Sequence, residues 1–339
     1  MNQEQIVLAD KLEQGKLGLT YLKRIWSEII LERKGLLDPK DKTKLNYVTS
    51  VFDSLGIGLE PTYQYLFMHA PSFEAFEDWI ITNGTISKQL IEFFNTAILD
   101  GGHSVEDTKI EKPVLSTKDI TQFERDGFVI VKNAIPKQDC EDTVKLIEEF
   151  LEIDLDDNST WYKHHPAKKG IMVQFFMHPL LMKNRLSPKI RTAFLQLWKR
   201  NDLLVSIDRV SFNPPENELY QFPGPDLHWD VSLKTPIPFG LQGILYLSDT
   251  PENQGAFTLV PGFHQKIESW LKSLPEGAHP REEDLHQLGA KPIAAQAGDF
   301  IIWHHALPHG SSPNSGTQPR IVQYINYRSL NREIRTEWI

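Results

Sequence analysis

Apolar positions in the first hundred residues recur at roughly helical spacing, as in Ile6, Leu8, Leu12, Leu17, Leu19, Leu22 and Ile25. Segments 43–55, 71–81 and 86–99 continue the pattern, with Ser72 and Thr85 placed as N-caps. Phe52, Tyr63, Tyr65, Phe67, Phe73, Phe76, Trp79, Phe93 and Phe94 supply the apolar mass of a helical bundle. The periodicity breaks at Gly101 and Gly102. Residues 1–101 therefore read as a helical N-terminal domain and 102–115 as a linker.

Beyond residue 115 the pattern shortens. A helix over 116–126 leads into a strand at 127–132, and helices follow at 135–151 and 188–200, separated by a loop-rich stretch. From 203 onward, β-branched and aromatic runs alternate with Pro, Gly and Asn: 203–212, 227–233, 240–248, 256–260, 299–304 and 321–327. Many short strands between turn residues predict a sandwich or barrel, so 116–339 reads as one β-rich domain in an α+β chain.

Composition narrows the function. Of 339 residues 40% are hydrophobic, enough for a substantial core, and the net charge of −9 argues against a nucleic-acid or anionic-membrane surface. Cys140 is the single cysteine, which excludes an intrachain disulfide and a thiolate metal cage. The N-terminus has no basic region and no apolar run approaches membrane-spanning length, so the expected location is the cytoplasm.

The candidate chemistry begins at His228-Trp229-Asp230. On a strand, residues two apart face the same side, so the imidazole and carboxylate would converge while Trp229 turns away. With a second histidine they would form the 2-His-1-carboxylate face that holds Fe(II) and leaves positions open. His304, His305 and His309 are the candidates for that histidine. His309 is preferred because Gly310 permits a sharp turn beside a ligand. Arg320 could hold the far carboxylate of a diacid such as 2-oxoglutarate through two parallel hydrogen bonds, with Ser311 adding a hydroxyl. Strand alternation places Arg209, Ser211 and Asn213 on one face and Asp208, Val210 and Phe212 on the other, and the polar face could line the cavity with Arg209 at the cosubstrate; Gln242 and Tyr246 share a face of 240–248 that could meet cosubstrate or substrate. Lys234 is placed to meet an anionic substrate group.

His228-x-Asp230, the run 255–264 (Gly-Ala-Phe-Thr-Leu-Val-Pro-Gly-Phe-His), Ala297-Gly298-Asp299-Phe300, His309-Gly310-Ser311 and Arg320 follow one another as in the phytanoyl-CoA dioxygenase family, which the chain resembles over about 115–330. Residues 123–132 also look like that family's first helix and strand. The resemblance implies a double-stranded β-helix (a cupin-like jelly roll) that uses Fe(II), 2-oxoglutarate and O2 on a small-molecule substrate, with release of succinate and CO2. It implies His228, Asp230 and His309 as iron ligands and Arg320 and Ser311 as cosubstrate anchors. Related halogenating enzymes carry a small residue in place of this aspartate, so Asp230 favours hydroxylation. His264 reads as fold-supporting. A cupin-like metal-dependent isomerase or hydrolase and a non-catalytic jelly-roll binding protein are the alternatives. The N-terminal helices fall outside the resemblance and are candidates for homo-oligomer contacts.

Overall fold

The computed structural model describes residues 6–99, 110, 112–330, 332–335 and 337–339. Five helices carry the N-terminal part: α1 (Leu22–Arg33), α2 (Leu45–Ser54), α3 (Leu59–His69), α4 (Phe73–Asn83) and α5 (Lys88–Leu99). The periodic segments at 43–55, 71–81 and 86–99 become α2, α4 and α5. Ser72 caps α4 by accepting from the Ala75 amide at 3.2 Å. Thr85 does not cap α5; Ser87 does, accepting from the Leu90 amide at 3.4 Å.

The apolar spacing over 6–21 forms no helix, and α1 starts only at Leu22. This stretch satisfies its backbone with side chains instead. The Leu17 amide donates to Glu77 at 2.9 Å, the Thr20 amide to Asn95 at 3.0 Å, and Asn95 donates back to the Gly18 carbonyl at 2.7 Å. Gly15 lies so close to α4 that a Cβ there would meet the Glu77 carboxylate at 2.5 Å. Helix α3 was not expected from the pattern, and it turns Phe67 outward at 42% exposure rather than into the core. Phe52, Phe76 and Phe94 are fully buried and pack with Leu204 and Leu330 from the C-terminal part, so the two parts share one continuous core.

The C-terminal part is built on antiparallel strands. They are β1 (Phe128–Val131), β2 (Lys168–Lys169), β3 (Met172–Val173), β4 (Leu203–Val205), β5 (Val210–Asn213) and β6 (Leu241–Tyr246). They continue with β7 (Thr258–Leu259), β8 (Lys291–Pro292), β9 (Phe300–His304), β10 (His309–Gly310), β11 (Arg320–Tyr324) and β12 (Tyr327–Ser329). A seven-stranded sheet runs β1-β9-β6-β11-β5-β3-β2, a three-stranded one β10-β7-β8, and β12 pairs with β4. Helices α6 (Thr117–Asp126), α7 (Lys137–Leu151), α8 (Pro179–Arg185), α9 (Pro188–Trp198) and α10 (Ile267–Ser273) flank them. Ser116 and Asp119 form a reciprocal capping box at the start of α6. The expected linker lies largely outside the described residues. At its far end the Val114 and Leu115 amides donate to Gln196 of α9 at 2.8 and 2.9 Å.

Strand alternation divides the large sheet into two faces. Leu245, Phe300, Ile302, Phe212 and Ile321 pack on one side in a core with α7, α8 and α9. Ile244, Tyr246, Ile301, Trp303 and Val322 pack on the other, with β7 and Trp229. Two expected strands differ. The run 203–212 breaks at 206–209, where the Ser206 amide donates to Asn326 at 2.8 Å and the Ile207 amide to Asp53 at 3.2 Å. The chain thereby passes from the β4 pairing to the β5 pairing. Residues 227–233 form no strand, only an isolated bridge between His228 and His309.

Candidate active site

That isolated bridge builds the site. The amides of His228 and His309 each donate to the other's carbonyl, at 2.9 and 3.0 Å. Gly310 makes the approach feasible: a Cβ there would lie 2.6 Å from the Asp226 carbonyl oxygen. Arg281 clamps the same segment, donating to the carbonyls of Trp229 at 2.8 Å and Val231 at 2.6 Å. These bonds explain why the segment forms no strand, since a side chain takes the carbonyls a neighbouring strand would use. Trp229 turns away as expected and donates to the Ala306 carbonyl at 3.0 Å.

The ligand atoms of His228, Asp230 and His309 lie within 4.8 Å of one another, the one such His/Cys/Asp/Glu cluster among the described residues. Asp230 Oδ1 is 3.4 Å from His228 Nε2, and Oδ2 is 3.3 Å from His309 Nε2. His228 Nδ1 meets the Asp226 carbonyl at 2.6 Å, and His309 Nδ1 meets the Leu307 carbonyl at 3.0 Å. A carbonyl only accepts, so both Nδ1 atoms carry the hydrogen and both Nε2 lone pairs point at Asp230. Three electron-pair donors converging on one point need a cation or a proton between them. Burial opposes the charge on Asp230, but the two imidazoles, which donate from Nε2 once a proton rather than a cation fills the gap, outweigh it and hold the carboxyl well below the usual range. Burial likewise pulls His228 down, and Asp230 more than reverses this, raising its pKa.

Arg320 is fully buried on the same face of β11 as Val322. Its Nη2 donates to Ser211 Oγ at 3.1 Å, while Nε and Nη1 have no acceptor among the described residues. Leaving a buried charged donor unpaired costs several kcal/mol or about 1–3 for a neutral one, so these two N–H groups fit a bound carboxylate. The Tyr324 hydroxyl also meets Ser211, and burial raises its pKa. Donor set and guanidinium together suit Fe(II) and 2-oxoglutarate.

The remaining expectations divide. Ser311 is buried and lines a cavity of about 660 Å³ that also contains the triad and Tyr324. Gln242 lines it too, and its amide donates to Asp230 Oδ2 at 2.7 Å. The Tyr246 hydroxyl is engaged elsewhere, donating to the Ile293 carbonyl at 3.1 Å and accepting from the Phe257 amide at 2.9 Å. Tyr246 is not among the residues that line the cavity. Arg209 stands at the far end of the cavity, ion-paired with Glu60 at 3.1 Å and stacked over Phe176. Lys234 pairs with Glu337 and is not among the residues that line the cavity.

His305 lines the cavity with its Nε2 on the Pro238 carbonyl, and His304 Nδ1 accepts from the Ala306 amide at 3.1 Å. Burial holds His304 at about 3 and also lowers His305, so neither carries charge near neutral pH. His264 Nε2 bonds the Glu124 carbonyl at 3.2 Å, a fold-supporting role. Sequence reasoning missed Tyr324, although it shares a strand face with Arg320. It also missed Arg281, which lies 51 residues beyond Asp230 in a segment with no pattern to mark it.

An open cavity over a 2-His-1-carboxylate cluster, with a buried arginine behind it, has the parts of a nonhaem iron oxygenase. Over residues 123–322 the sequence matches the phytanoyl-CoA dioxygenase (PhyH) family. A protein of Dictyostelium discoideum, provisionally named a phytanoyl-CoA dioxygenase, is 27% identical over 254 residues, covering 60% of this chain and 72% of its own. An ectoine dioxygenase of Bordetella bronchiseptica is 20% identical over 245 residues, covering 65% and 77%. Among solved structures, EctD from S. alaskensis with bound Fe has 17% identity and a TM-score of 0.48, covering 68% of this chain and 83% of that one. The chain belongs to the phytanoyl-CoA dioxygenase family, and it is an Fe(II)- and 2-oxoglutarate-dependent dioxygenase.

Proposed function

We propose that His228, Asp230 and His309 hold the iron, that Arg320 and Ser311 anchor the far carboxylate of 2-oxoglutarate, and that the enzyme hydroxylates a C–H bond of a small molecule in the cavity. The observation that carries this reading is Arg320, a fully buried guanidinium with two N–H groups unpaired among the described residues. An isomerase or hydrolase using the same triad has no need for a diacid clamp. Bound iron and 2-oxoglutarate supply the oxidation of a C–H bond by O2, with succinate and CO2 as by-products.

The chain's own residues prepare that chemistry. Backbone carbonyls at Asp226 and Leu307 fix both imidazole rings with Nε2 inward. Gln242 restrains the carboxylate. Trp303 and Phe257 pack against His309, with ring centroids at 5.1 and 6.0 Å, and keep water off its inner side. A carboxylate at position 230 leaves no room for a halide there, which favours hydroxylation over halogenation.

The seven-stranded and three-stranded sheets with the triad between them support a double-stranded β-helix. In this reading 1–101 is a helical N-terminal domain, 102–115 a linker and 116–339 the oxygenase domain, although the first and last pack through a shared core. Exposed Phe67, Met68 and Ile81 on α3 and α4 support homo-oligomer contacts there. No helix among the described residues is long and apolar enough to cross a membrane. Cys140, buried and pushed up to about 12, suits a reducing cytoplasm.

Substitution of Arg320 tests the central assignment. Arg320→Leu removes two charge-assisted hydrogen bonds, about 3 kcal/mol together, or roughly a hundredfold in the dissociation constant. Calorimetry with 2-oxoglutarate should show that loss with Fe(II) affinity retained; unchanged 2-oxoglutarate affinity would remove Arg320 from the clamp.

A further inference from the structure

The cavity continues past the triad to a wall that the family match does not contain. Leu45 and Thr49 of α2 and Leu59 of α3 form one side of it, and Arg328 and Arg332 another, all outside residues 123–322. A second cavity of about 500 Å³ abuts it, sharing Leu45, Thr49, Leu59, Asp208, Arg209 and Arg328. The N-terminal helices are thus a wall of the active site.

The charges at this end do not cancel. Asp208 is occupied by the Arg209 amide at 2.8 Å and its side chain at 3.4 Å, and Glu60 pairs with Arg209 and Lys169 at 3.1 Å each. Glu333 is held by Arg335 at 2.8 Å. Arg332 donates to Thr49 Oγ1 at 2.6 Å, a neutral partner. Arg328 lines both cavities, and its guanidinium makes no hydrogen bond or ion pair among the described residues. Asp53 is the acid near both guanidiniums; it is buried, with Oδ2 unpartnered, and burial raises it to about 6. One buried carboxyl stands against two arginines. Arg320 answers for the diacid cosubstrate, so this second cationic pair is surplus to it.

We propose that Arg328 and Arg332 bind an anionic group of the primary substrate, a carboxylate or a phosphate-type group, whose apolar portion lies against Leu45, Leu59 and Phe239 and extends toward the triad. The substrate class is therefore an organic acid with an apolar body. This rests on the proposed iron site only for which end is oxidised. Guanidinium forks match both anions, and the N-terminal helices then act in substrate selection.

Calorimetry on the metal-free full chain tests the pocket independently of the iron reading. Hexanoate, hexyl phosphate, 1-hexanol and hexylammonium serve as length-matched probes. One or both anions should bind at least tenfold more tightly than the alcohol and ammonium, and the two anionic arms identify the preferred headgroup. Arg328→Gln should erase the preference and Arg328→Lys should keep part of it. Both variants should retain wild-type affinity for 2-oxoglutarate in the presence of Fe(II). Equal binding of all four probes, or an unchanged preference in Arg328→Gln, would overturn the proposal. So would a selective loss of 2-oxoglutarate affinity, which would assign Arg328 to the cosubstrate. Anion selectivity in a chain that fails to bind iron would uphold the pocket and sink only the iron assignment.

Discussion

In the proposed iron site, Gln242 acts through Asp230. Its amide donates at 2.7 Å to Oδ2, the same oxygen that faces His309. Partners of this kind orient a ligand and typically account for 10–100-fold in metal affinity. Gln242→Leu, similar in size, should weaken Fe(II) by about that factor in a competitive chelator titration, while an unchanged affinity would make the bond incidental. Alternation along β6 was enough to put Gln242 and Tyr246 on the site face. It could not say where their polar tips go, because that depends on Asp230, Ile293 and Phe257, which arrive from distant segments. Arg320 and His309 were more legible. A charged residue opening an apolar strand and a histidine before a glycine both stand out against their neighbours.

At the scale of elements, α2 meets the β4–β5 break through Asp53, whose Oδ1 accepts from the Ile207 amide at 3.2 Å. Burial is the larger influence on this carboxyl and raises it from 3.8 to about 6, against the pull of Arg328 and Arg332. The unfolded chain releases this proton near its ordinary value, and the folded chain keeps it until about 6. Stability from this group is therefore present at acid pH and declines between about 4 and 6, by an amount on the order of 3 kcal/mol. Asp53→Asn removes that dependence. Urea unfolding should show the variant gaining on the wild type as pH rises across this window; a difference independent of pH would contradict it. The helices at 43–55, 71–81 and 86–99 were legible because tertiary packing follows their periodicity. The stretch at 6–21 has the same spacing without the helix, since it lies extended over α4 and α5 and its backbone bonds to Glu77 and Asn95. Residues 227–233 likewise alternate as a strand would, but Arg281 and the His228–His309 bridge take their hydrogen bonds.

For the whole molecule, the sequence separates a helical part from a β-rich part, and the structure joins them. Leu204 and Leu330 lie in the N-terminal core, and Leu45, Thr49 and Leu59 line the cavity. No local pattern could reveal this, because the contacts pair residues about 150 to 280 positions apart. The central claim is a single iron centre built from three residues of the β-rich part and completed by a clamped diacid. Anaerobic titration with Fe(II) and then 2-oxoglutarate, followed by the weak visible charge-transfer band of the chelate, tests it most directly. The band should form in the wild type and in His304→Ala and His305→Ala, and be absent in His309→Ala. A wild type that gives no band, a band that survives His309→Ala, or a band lost on His305→Ala alone would contradict the account.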